Sequence, residues 1–353
     1  MSFVISVPDA LRQAVEAQSG GLVTVLYDDK GYPSFMRVIP KFRYEDLGFD
    51  TQLGTGVCTA FLVGGVEKPY IMVGQYLASV HDGRAVSLPG VDPKTSVNFD
   101  SARSYCTAKG TGWHLMTVHE WAAVALWCMA NGFEPRGNTN YGRSHASTHE
   151  VARRVDGGQP GDTTGTPRTL TGTGPVTWRH DNSPIGIADL VGNIWEWQDG
   201  LKLVDGRIYC TTDNDYALAE TGWSAQNAYF DSPVAGDGVG TDNLGAPTLA
   251  ASITNYAGPV GNDGAYDYNY ISSWSSLGLD AGYTSIQLLK RLLVEPAGIA
   301  PQGAFWVRNY GTRLPFRGGH WSLGASAGLA ALNLLDARSN ATSGLGFRPA
   351  FAP

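Results

Sequence analysis

At 353 residues the chain exceeds one average domain, and with 43% apolar and 11% aromatic residues it can bury a substantial core. A net charge of −7, only 16% charged residues and no cluster of Lys or Arg disfavour nucleic acid and anionic membrane surfaces as partners. The longest apolar run, Ala122 to Ala130, is far short of a membrane span, and 45 glycines point to turns and irregular loops rather than helical bundles.

The opening residues, MSFVISVPDALRQ, carry no basic stretch followed by an apolar one, so no secretory signal is read there. Ser6 with Asp9 three residues on predicts a capped helix start, followed by a short stripe of Leu11, Ala14 and Val15 that Gly20-Gly21 ends. Leu22 to Phe42 reads as a hairpin turning at Asp28-Asp29-Lys30-Gly31. Residues 1–55 are therefore expected to form a small N-terminal unit of helix plus hairpin, an element for assembly or attachment, with residues 56–353 as the main domain.

From Cys58 two β-rich segments precede two helices. Asn98 caps the first, which ends before Gly110; Thr117 to Glu120 forms a capping box for the second, which Asn131-Gly132 stops. The second is apolar almost all round and should be central. Residues 132–184 read as long surface loops. After Gly192-Asn193-Ile194-Trp195-Glu196-Trp197, residues 199–312 read as a loop-like insertion with one helix, Ser285 to Val294, stopped by Pro296. Its aromatics, among them Tyr266, Tyr270 and Trp274, argue against disorder. Cys58, Cys106, Cys128 and Cys210 show no CxxC spacing and are expected to be free and mostly buried, with one or two bridges left open.

The last stretch, Arg317 to Pro353, holds two interleaved sets. Arg317, Gly318, Gly319, Trp321 and Phe347 belong to a stiff set of turns and core fillers. Between them sit residues without shared chemistry: His320, Ser322, Leu323, Ser326, Leu335, Asp336, Thr342 and Gly344. A fixed frame carrying irregular residues reads as a surface for a partner; a terminal β-segment with turns is the other reading.

Three segments in order, ARSYC…LMTVHEW, GNIWEW and RGGHW…GFR, resemble the C-type lectin fold of the formylglycine-generating-enzyme type over roughly residues 56–353. The resemblance implies an α+β, irregular and loop-rich fold with two helices. The terminal RGGxWxxGAxAG…LNL…ARSN…GFRPA resembles the variable region of diversity-generating retroelement target proteins. In that family, template-directed mutagenesis alters selected positions, and the altered side chains bind a target. Carried over, the resemblance adds Ala330 and Asn333 to the irregular set and makes Trp195, Trp197, Arg317, Gly318, Gly319, Trp321 and Phe347 its scaffold. The implied partner is a cell-surface protein or glycan, the implied location a virion tail tip or a bacterial surface, and a homotrimer is one assembly it allows.

Other members of the fold are oxidases that use paired active-site cysteines or histidine-bound iron. This chain has no cysteine after Cys210, which points away from an enzyme and from a catalytic residue or cofactor. Asn193 and Glu196 remain as candidates for a structural calcium, weighed against hydrogen bonds to loop backbone. His145 and His149 are four apart but sit in a polar segment. An inert structural virion protein is the third reading.

Overall fold

The computed structural model describes residues 9–353. In chain order it begins with α1 (Ala10–Ser19) and a hairpin, β1 (Val23–Tyr27) and β2 (Pro33–Pro40), followed by β3 (Tyr70–Gly74), α2 (Phe99–Thr107), β4 (Trp113–Leu115) and α3 (Val118–Ala130). After a long run of loops come β5 (Trp195–Trp197), β6 (Leu201–Val204), β7 (Arg207–Cys210), β8 (Ser224–Asp231) and β9 (Thr248–Ala250). The last third holds β10 (Asn269–Ile271), β11 (Gly278–Leu279), α4 (Gln287–Arg291), β12 (Phe305–Val307) and β13 (Thr312–Arg313). It closes with β14 (Phe316–Gly318), β15 (Gly328–Leu334), β16 (Leu345–Gly346) and β17 (Pro349–Phe351).

The helix ends follow local chemistry. Ser6, the cap expected from the sequence, lies outside the described residues; the cap of α1 is Asp9, whose carboxylate accepts the Arg12 N–H at 3.0 Å. Asn98 caps α2, and Thr117 with Glu120 forms the expected capping box of α3. Helix α3 is buried on nearly every side, as its all-round apolar sequence requires.

Three larger sheets surround it. The first runs β1-β2-β3-β17-β4, so the C-terminal strand lies between β3 and β4. The expected boundary near residue 55 does not separate the hairpin from this sheet. Strand β2 pairs with β3 from Met36↔Gly74 to Pro40↔Tyr70, and Ile39 is buried in the core cluster that surrounds α3. Alternating apolar residues on β1 and β2 need a face to bury against, and the main core supplies it.

The insertion also differs from its reading as loops. Its residues build the second sheet, β11-β9-β8-β7-β6-β13, from short strands between tight turns. The helix expected over Ser285–Val294 is shorter, with α-helical turns only at α4. Residues 132–184 are irregular as expected, though not merely superficial: Asn138, Thr139, Thr169 and Thr171 are all buried. All four cysteines are free and buried. No helix among the described residues is long and apolar enough to cross a membrane.

The third sheet, β10-β12-β15-β14-β5-β16, carries the terminal stretch. One side of it packs into the core around α3 through Leu332, Leu334, Phe305 and Val307. On the other, Trp195, Trp197, Phe316, Leu345 and Phe347 form a second cluster with Phe99 and Ala102 of α2.

Candidate ligand-binding face

The terminal frame is fixed by buried arginines and close backbone approach. Arg348 is fully buried and bonds Glu196 through two N–H groups, each at 2.8 Å, while its other N–H groups reach Gly74 O and Ala188 O. Arg317 is equally buried and donates to Leu292 O and Leu293 O; burial pushes its guanidinium down to about 9. At Gly318 (φ +92°) a Cβ would lie 2.4 Å from Leu190 O, and at Gly328 one would lie 2.0 Å from Gln302 O. Neither position has room for a side chain. Trp197 is completely buried and donates its indole N–H to Val97 O at 3.0 Å.

The irregular positions are held in another way. The loop from Gly319 to Ala327 is pinned by main-chain atoms: Tyr141 N–H donates to Trp321 O, and Gly324 N–H donates to Thr139 O. After β15, Leu314 N–H donates to Asp336 O, Phe99 N–H to Arg338 O and Ser96 N–H to Thr342 O. None of these bonds uses a side chain of an irregular position. The backbone path is set largely by peptide groups, with two bonds drawing on irregular side chains: the Ser322 N–H donates to His320 Nδ1 at 3.3 Å and the Leu335 N–H to Asn333 Oδ1 at 2.8 Å. Ser322 and Thr342 are exposed, and His320, Leu323, Ser326, Leu335 and Asp336 are partly exposed.

The residues added through the resemblance divide. Asn333 is nearly buried on β15, with Trp306 and Phe316 as its neighbours across the sheet, and its Oδ1 accepts the Leu335 N–H at 2.8 Å. Ala330 departs from the expected surface role: it is fully buried in the core around α3, because β15 turns alternate side chains to opposite sides. Gly344 is buried too, its carbonyl accepting the Trp195 N–H; a Cβ there would meet Trp321 and His320 at ordinary contact distances, so a larger residue fits. Trp321, expected in the scaffold, is partly exposed and lies against His320 with ring centroids 5.3 Å apart.

Aromatic rings line this side of the sheet. Trp306 of β12 meets Trp195 edge-on at 5.5 Å and Tyr270 of β10 at 5.3 Å, and both Trp306 and Tyr270 remain partly exposed. The Tyr270 hydroxyl lies 3.4 Å from the Ser326 hydroxyl, which connects the insertion to the terminal loop. Tyr270 stood among the aromatics singled out in the sequence. Trp306 was missed; the alternation of Phe305 and Val307 about it, two buried residues flanking one that faces the other way, was the available signal.

Charge is scarce on the face. Burial pushes the His320 imidazole down to about 4, so it is neutral at physiological pH. Burial raises the Asp336 carboxyl against the pull of Arg308, whose guanidinium lies 4.0 Å away. Arg338 is the exception: it grips Asp100 through two bonds of 2.9 and 2.6 Å and Glu220 through one of 2.9 Å, tying the end of the segment to α2.

The calcium candidates are otherwise engaged. Both oxygens of Glu196 accept from Arg348, and Asn193 Oδ1 accepts the Thr169 N–H at 2.7 Å while its amide donates to Thr169 O. Asn193 has φ +62° and holds two loops together, the backbone alternative considered for it. His145 and His149 lie in loop rather than on a helix face, and His145 bonds Thr139 Oγ1 at 2.8 Å.

Comparison with known proteins agrees with the fold class. Residues 67–227 match the model of the sulfatase-modifying factor enzyme 1-like domain, and the structure is mixed, loop-rich and poor in helix, as the lectin-type resemblance implies. No curated protein matches the chain. Among solved structures, it is similar to the Treponema denticola variable protein 1 at 11% identity and a TM-score of 0.35, covering 94% of this chain and 99% of that one. It is also similar to the Major Tropism Determinant U1 variant at 12% identity and a TM-score of 0.33, covering 94% of this chain and 71% of that one.

Proposed function

We propose that this protein recognises a cell-surface protein or glycan through the side of the third sheet that carries the irregular terminal positions. In this reading, retroelement-directed mutagenesis varies His320, Ser322, Leu323, Ser326, Leu335, Asp336, Thr342 and Gly344, with Asn333 at the floor. The observation that carries it is the division of labour just described. Ser322 and Thr342 are exposed and His320, Leu323, Ser326, Leu335 and Asp336 partly exposed on a backbone pinned largely by main-chain bonds, while Arg317, Gly318, Phe347 and Arg348 of the frame are buried, which supports this reading.

Trp306 and Tyr270 supply a fixed aromatic wall beside those positions. Half-exposed rings on rigid strands give contact area at little entropic cost, and a few such anchors dominate binding. Display on a phage tail tip or a bacterial surface, in several copies, would add avidity without new contacts.

A cysteine-based oxidase is supported less well. The terminal segment holds no cysteine, and burial pushes the Cys58 thiol up to about 11 and the Cys210 thiol up to about 12, far from a reactive thiolate.

The test is genetic. The locus should hold a near-copy of the segment encoding Arg317 to Pro353 beside a reverse transcriptase, and sister sequences should differ at the irregular positions and not at Arg317, Gly318 or Arg348. An invariant segment with no near-copy would overturn the proposal.

A further inference from the structure

Below the display loop, outside the positions assigned to the variable face, lies a polar cleft of about 210 Å³. Glu134, Arg136, Thr139, His145, Gln302 and Ala327 line it. Two of these residues also hold the loop and strand that bear the face: Thr139 O accepts the Gly324 N–H at 3.0 Å, and Gln302 O accepts the Ala330 N–H at 2.8 Å.

We infer that this cleft is a binding site for a primary ammonium group, with the Glu134 carboxylate as its counter-ion. Charge in the cleft is unbalanced. Arg136 is already neutralised by Glu150, which it meets through two side-chain bonds, and His145 Nδ1 is taken by Thr139. Glu134 has one partner only, the Gln302 N–H on Oε2 at 2.8 Å, and no cation among the described residues pairs with it. The cleft therefore carries one uncompensated negative charge and one free carboxylate oxygen. Partial burial raises the Glu134 carboxyl above its ordinary value, against the opposing pull of the Gln302 N–H.

The geometry selects among cations. A guanidinium gains most from the bidentate mode on two free parallel oxygens, and here one of the two already accepts the Gln302 N–H. A divalent metal needs several oxygen or nitrogen ligands, and the described residues contain no group of three His, Cys, Asp or Glu placed to hold one. A primary ammonium is a compact point charge and needs only one strong acceptor with polar neighbours. Among the groups that present it at a cell surface are the side chain of lysine and an amino sugar with a free amine.

The experiment follows backbone amide resonances of the full chain during titration with glucosamine and with Nα-acetyl-lysine amide. Glucose and the norleucine counterpart serve as uncharged controls. The amides of Gly137, Thr139, His145 and Gln302 should move with an ammonium probe and stay put with both controls. Glu134→Gln keeps an oxygen for the Gln302 N–H, so it should preserve the fold while weakening the response about tenfold, the worth of one charge-assisted hydrogen bond. A response to the lysine probe alone assigns the site to a protein ligand, to glucosamine alone to a glycan, and to both to ammonium as such; each supports the inference. No response to either probe, or an unchanged response in Glu134→Gln, would overturn it.

Discussion

Arg348 and Arg338 belong to the same terminal segment, and each grips a carboxylate through two bonds, yet they serve opposite ends of the design. Arg348 and Glu196 are sealed from water, and their remaining hydrogen bonds run to Gly74 and Ala188. The Arg338 and Asp100 side chains are 41% and 59% exposed, in a region where solvent screens them. A buried pair missing one partner leaves a stranded charge, whereas an exposed pair missing one is solvated. The segment thus combines a buried frame that tolerates little change with an exposed part held mostly by main-chain bonds and by ion pairs that water can replace.

The largest expected effect sharpens this contrast. Arg348→Ala should cost about 3–5 kcal/mol by leaving Glu196 buried and unpaired, against at most about 1 kcal/mol for Arg338→Ala. Chemical denaturation of both variants decides it, and equal losses would break the comparison. Next comes Gly328→Ala. Its new Cβ would press on Gln302 O, so about 2–3 kcal/mol should be lost, while Gly344→Ala, facing only side chains at contact distance, should stay near wild type. Thermal unfolding of the two glycine variants reads this out.

A smaller effect depends on pH. Burial pushes both His119, sealed in the core on α3, and His320, in the terminal loop, down to about 4 from an ordinary value of 6.5. A folded-state value below the unfolded one means stability is complete above about pH 6.5 and drains away as pH falls toward 4, because the unfolded chain takes up the proton first. His320→Gln removes one such group, so the loss of stability between pH 6.5 and 4.5 should shrink by about 1–2 kcal/mol. Denaturant midpoints across that range measure the slope, and an unchanged slope would place the imidazole in water.

The sequence exposed the frame more readily than the fold around it. Capping chemistry at Asn98 and Thr117 is local, and so is the contrast between Gly318 or Trp197 and the residues between them; both could be read directly. Long-range pairing was hidden. Nothing local in Val23–Tyr27 says that the hairpin joins a sheet with the C-terminal strand, and the insertion's strands are too short and too polar on their outer faces to announce a six-stranded sheet. Ala330 failed for a related reason: the family pattern gives a position, but the alternation of β15 decides which side of the sheet that position faces. Trp306 was concealed by its setting in a stretch read as loop.

The exposed positions should tolerate side chains that the buried frame cannot. A saturation library over Arg317–Pro353, displayed on cells and sorted by protease resistance, measures that tolerance position by position without any ligand. Ser322, Ser326 and Thr342 should accept nearly all residues with changes within about 0.5 kcal/mol, while Arg317, Gly318, Gly328, Phe347 and Arg348 should accept almost none. Equal intolerance across the segment, or tolerance concentrated at the arginines and glycines, would contradict it.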